Sequence, residues 1–115
     1  MQSKVFKSDN YIYECKSATG DIGGSIELSS LKPEVEKLKR RWVREGTPKA
    51  YYYIFPANLI SNESRKYLDE LKSQYKGEVD INYYDSQQVQ KLIHSLEKLS
   101  DMQSLIDYIR QVGGI

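Results

Sequence analysis

Glu14 and Lys16 stand two residues apart in the run YIYECKS, residues 11–17. Aromatic and β-branched residues before them mark a strand. Strand side chains alternate, so a carboxylate and an ammonium share one face. A carboxylate offers hard oxygens to a divalent cation, and the backbone carbonyl of Cys15 would add another. An ammonium beside them can orient water or offset charge that builds on a phosphate. Glu14 and Cys15 O are therefore candidate ligands for Mg²⁺ or Mn²⁺, and Glu14 and Lys16 candidate catalytic residues. The Cys15 side chain points the other way, has no cationic neighbour in sequence, and reads as a small core residue rather than a nucleophile. A Glu-x-Lys pair is also a common solvated ion pair, so its surroundings decide.

Those surroundings alternate strand and helix. KVFKSDNYIYECK reads as a hairpin with turn residues at Ser8, Asp9 and Asn10. A Gly-rich loop, SATGDIGGS, follows. The glycines at 20, 23 and 24 make neither a Walker loop nor a dinucleotide fingerprint. Leu31, Val35, Leu38 and Trp42 recur at helical spacing, with Pro33 expected in the first turn and Gly46 as the stop. AYYYIF is a short strand without a polar break, as expected of one buried on both faces. Ser61 is placed to cap a helix with Leu68, Leu71 and Tyr75 inward and Gly77 beyond its end. VDINYY is a further strand. Asp85 with Gln88, and Ser100 with Gln103, resemble capping boxes. They open two helices, one carrying Val89, Leu92, Ile93 and Leu96, the other Leu105, Ile106 and Ile109 before Gly113. The order β-β-α-β-α-β-α-α predicts a single α/β domain over residues 1–115. Its mixed sheet of about four strands has an antiparallel hairpin at its edge, then right-handed parallel crossovers flanked by helices.

Composition excludes several classes. The 115 residues carry 39% hydrophobic and 29% charged side chains, ordinary for a soluble domain with one core. A net charge of +1 gives no global field for nucleic acid, so any such partner needs a local patch. One Cys forms no intrachain disulfide and, with one His, builds no common zinc site; a reducing, cytoplasmic setting is expected. No apolar run approaches membrane-spanning length, and no signal peptide is visible.

The chain resembles the PD-(D/E)xK nucleases, the restriction-endonuclease-like superfamily, and most closely its Mrr-type branch. YIYECK matches the (D/E)xK strand, AYYYIFPANLISNESRKYLDEL the strand, loop and helix after it, and VDINYYDSQQVQKLI the last strand and a helix opened by an Asp. The resemblance covers about Lys4 to about Leu96. It implies a Mg²⁺- or Mn²⁺-dependent DNA endonuclease, with Glu14 on the metal and Lys16 assisting. The alternative is a non-catalytic restriction-like domain that binds DNA or protein. The family pattern also places an Asp about a dozen residues before the Glu, near Met1 or Gln2, and neither is acidic. The family's helix before the first strand is absent too. The expectation is therefore an N-terminally trimmed domain, weakly active alone, whose acid comes from a missing segment, a partner chain or a second copy. Asp9 sits in the hairpin turn, about 16 Å from Glu14 by strand rise, too far to share an ion. Asp21, in the loop after Lys16, is a candidate ligand if it folds back. Glu34 and Glu36 on the first helix are other candidate acids, each with a solvated helix face as its plainer reading.

Lys37, Arg41 and Arg44 form a basic strip off the apolar stripe of the first helix, suited to DNA phosphates. The plainer reading is a charged solvent face. The ten Tyr residues read mainly as packing, with exposed ones able to stack on unpaired bases. His94 reads as a structural or surface residue.

Overall fold

A computed structural model describes residues 2–17 and 24–115. Strands β1 (Gln2–Ser8) and β2 (Tyr11–Ser17) form the expected antiparallel hairpin. Asp9 turns between them at φ 52°, a left-handed conformation that Asp tolerates. Helix α1 (Leu28–Glu45) carries the chain to β4 (Ala50–Ile54), which pairs parallel to β2. Helix α2 (Asn62–Gln74) then leads to β6 (Asp80–Tyr84), parallel to β4. The sheet order is β1-β2-β4-β6. Helices α3 (Val89–Leu96) and α4 (Gln103–Gly113) complete the chain. A second, two-stranded sheet pairs β3 (Ser25–Ile26) with β5 (Leu59–Ile60). Two-residue strands have no periodicity to read, so the sequence carries no local sign of them.

The sheet separates two cores. On one face Leu31, Val35, Leu38 and Trp42 of α1 and Leu68 and Leu71 of α2 pack on Tyr51, Tyr53 and Ile81. On the other, the apolar stripes of α3 and α4 pack on Tyr13, Cys15 and Ile54. The unbroken run AYYYI serves both, which is why it has no polar position. Among the described residues no helix is long and apolar enough to cross a membrane.

The Ser61 cap matches its expected residue, and the Asp85–Gln88 box forms in the turn ahead of α3. Ser61 Oγ accepts the Ser64 N–H at 3.1 Å. Asp85 N–H donates to Gln88 Oε1 at 3.1 Å while Asp85 Oδ1 accepts the Gln87 N–H at 2.9 Å. Three details differ. Helix α1 begins at Leu28, because Ser30 and Leu31 already donate to Glu27 O at 3.1 and 3.0 Å; Pro33 thus falls in the second turn. Ser100 does not cap α4, which follows Met102. Met102 is buried in the α3–α4 core, and Gln103 Nε2 donates to Asp107 instead. Gly113 stays inside α4, where a Cβ would lie 3.0 Å from Pro56 O; Gly114, at φ 71°, ends the helix.

Candidate active site

Glu14 faces the α1–α2 side of the sheet. It lies opposite Val5 on β1 and Tyr53 on β4, while Lys16 lies opposite Ser3. Both charged residues are buried, at 5% and 6% exposure. That removes the solvated-ion-pair reading, since an exposed pair keeps its water and these have lost theirs. Cys15 faces the other core at 2% exposure. Burial, then the Glu14 charge, pushes its thiol up to about 12, so it is no nucleophile at neutral pH. Its backbone lies between Lys4 of β1 and Ile54 of β4, which puts its carbonyl in the plane of the sheet.

A buried carboxylate needs donors, and Glu14 has two among the described residues. Tyr51 donates its hydroxyl to Oε1, and Lys16 Nζ lies 3.5 Å from Oε2. The same ammonium lies 3.4 Å from Oε1 of Glu34. Lys16 thus sits between two carboxylates, one from the strand and one from the helix above it. Glu34 is therefore not on a solvated face; its side chain is 18% exposed and its other oxygen is 3.8 Å from Lys37. The signal was legible. Glu34 is three residues after Leu31 and four before Leu38, which puts it on the inward face of α1. Glu36 instead bonds Lys39 and the Tyr67 hydroxyl, away from Lys16.

Tyr53 completes the cluster. Its ring centre is 5.9 Å from Lys16 Nζ, and the residue is 1% exposed. Among the described residues its hydroxyl is the buried side-chain polar atom with no hydrogen-bond partner. Burial, then the charges of Glu14 and Glu34, raises its pKa well above the ordinary tyrosine value, so the phenol stays neutral. Tyr51 is raised for the first two of these reasons, burial and Glu14, and by its bond to that carboxylate. Sequence reasoning assigned both tyrosines to packing. A strand of consecutive apolar residues does not reveal which hydroxyl will meet a charge.

The cluster occupies the carboxyl end of parallel strands, where open α/β sheets place ligands. The candidate ligand Asp21 lies outside the described residues, as does Met1. Gln2 pairs with Ser17 and alternates onto the face of Lys4 and Phe6, away from Glu14. An acid there would miss the site; Ser3 and Val5 are the β1 positions that face it. The basic strip is only partly gathered. Lys37 adjoins Glu34, whereas Arg44, ten residues along the helix, is about 15 Å farther by helical rise. Arg41 borders a cleft with Lys7 and Tyr51 toward the hairpin turn. Arg44 is exposed beside Glu45. His94 is exposed on α3, beyond the opposite face of the sheet.

Glu14, Glu34 and the Tyr53 hydroxyl are hard oxygen donors and suit Mg²⁺ or Mn²⁺ in kind. Among the described residues no three Asp, Glu, His or Cys side chains converge as a metal-binding group. Glu14 and Glu34 would be the carboxylates that hold a cation. Comparison with known protein families, characterised proteins and solved structures yields no match for the chain.

Proposed function

We propose that the chain is a restriction-endonuclease-like domain that hydrolyses DNA phosphodiester bonds with Mg²⁺ or Mn²⁺. One observation supports this reading above the rest: Glu14, Lys16 and Glu34 are drawn together, largely buried, at the carboxyl end of the parallel strands. Buried charge is costly, and such clusters concentrate at functional sites. Glu34 supplies, from the same chain, the second acid that the family pattern seeks near Gln2. The bound cation would supply Lewis acidity to the scissile phosphate and its attacking water. The protein's own groups do the rest. Tyr51 fixes the Glu14 carboxylate, Lys16 presents positive charge to a non-bridging phosphate oxygen, and Lys37 holds the backbone beside the site. The buried thiol fits a reducing cytoplasm.

Lys16 is held by both carboxylates, and that observation favours a second reading, a domain that binds DNA without cutting it. Incubation with supercoiled plasmid and Mg²⁺ or Mn²⁺ separates the two. The hydrolase predicts nicking or linearisation that Glu14→Gln and Lys16→Met each reduce by roughly a hundredfold or more. Retarded but intact plasmid would leave the binding domain.

A further inference from the structure

Buried hydroxyls in folded proteins almost always find a partner, and one left alone calls for a reason. Among the described residues Tyr53 has such a hydroxyl, and its neighbours are the charged groups of the proposed site. Replacing it by a ring without oxygen would relieve the desolvation it incurs, so packing alone gives no reason for the oxygen. The strand register puts Tyr53 directly opposite Glu14, and Lys16 lies by its ring. The hydroxyl is buried, so a partner that reaches it must be as small as a water. A buried water needs two to four polar partners. Tyr53, Glu14, Glu34 and Lys16 can supply them.

We propose that Tyr53 is a water-positioning residue, whose hydroxyl donates to the water that attacks the phosphate. This rests on the hydrolase reading and assigns the nucleophile within it. The water oxygen forms a bond to phosphorus and the bond from phosphorus to the leaving strand's oxygen breaks. One water proton passes to the carboxylate pair, and the leaving oxygen takes a proton from solvent. Tyr53 changes no charge; it holds the water's lone pair in one direction, so the other aims at phosphorus.

Tyr53→Phe removes one buried atom and tests the assignment. The expected result is a kcat for duplex cleavage roughly 10- to 100-fold lower, with KM unchanged and the melting temperature equal or higher. An unchanged kcat with a raised melting temperature means a stranded hydroxyl and overturns the proposal. A lowered melting temperature with a matching loss of folded protein means a structural role and also overturns it. Proton NMR gives a reading that does not depend on turnover: a long-lived water should show cross-relaxation with the Tyr53 hydroxyl in the wild type. Absence of that contact overturns the proposal. Cleavage that depends on Glu14 and Lys16 but not on Tyr53 would refute the water assignment alone. A wild type that never cuts, with the water contact present, would instead refute the hydrolase and leave a structural water.

Discussion

Tyr51 and Tyr53 are the same residue type on the same strand face, yet they meet opposite circumstances. Tyr51 satisfies a buried carboxylate; Tyr53 satisfies nothing among the described residues. Their phenylalanine variants should therefore differ in size of effect. Tyr51→Phe strips Glu14 of its neutral donor and should lower stability by about 1.5–3 kcal/mol, the range for hydrogen bonds to charged groups. Tyr53→Phe should leave it within about 1 kcal/mol of the wild type, because the hydroxyl has no bond to another described residue to lose. Urea unfolding followed by circular dichroism measures both. Equal destabilisation by the two variants would show that Tyr53 has a protein partner after all. Side-chain identity was plain at both positions; only the fold put a carboxylate next to one of the hydroxyls.

At the scale of elements, β1 and α1 decide what Glu14 can recruit. The β1 register puts Val5 across from Glu14 and sends Gln2 to the other face. Val5→Asp should tighten Mn²⁺ binding roughly tenfold, about 1.4 kcal/mol, and Gln2→Asp should leave it unchanged. Calorimetric titration decides, and the reverse ranking would mean the hairpin register is shifted by one. Helix α1 carries the second acid at one end and the basic strip along its exposed length. Lys37 and Arg44 have acidic neighbours at 3.8 and 4.0 Å, but both cations are themselves solvent-exposed, so they remain available to phosphates. Replacing Lys37, Arg41 and Arg44 with Ala should flatten the salt dependence of DNA binding by up to about three units of slope, near 0.9 per phosphate contact. A triple variant with the wild-type slope would assign them to solvent. The helical period made the strip visible, but its distance from the site is set by how α1 lies across the sheet.

Over the whole molecule, the two cores hold several groups whose ionisation folding suppresses. Burial lifts Cys15 from its ordinary 9.0 to about 12, and Tyr52 and Tyr67 from 10.0 to about 12. Each of these is raised in the folded state, so its contribution is fully present below the unfolded pKa. It is lost as pH climbs through the folded one. Stability should therefore hold through neutral pH and decline from about pH 9 upward, with Cys15 first and the tyrosines following. Cys15→Ala should delay the onset to about pH 10. Chemical denaturation across pH 7–11 would reveal a contrary trend, and thiol labelling of the folded protein should be slow at pH 8. The thiol's face was set by strand alternation, but its depth depends on α3 and α4 closing over it.

The sequence by itself determined the order of the helices and main-sheet strands, the helix stripes, the Ser61 cap, the Asp85–Gln88 box, and the opposition of Glu14 and Lys16 to Cys15. Those follow from local rules: period two, period 3.6, and the short reach of a capping side chain. Tertiary structure alone decided the small second sheet, the face taken by Gln2, and the meeting of Lys16 with Glu34, 18 residues later. A contact between strand and helix depends on the crossover that stacks one over the other, and no local spacing encodes that distance. The same is true of the Tyr53 hydroxyl. Its type is local, but its isolation beside two carboxylates belongs to the packed fold.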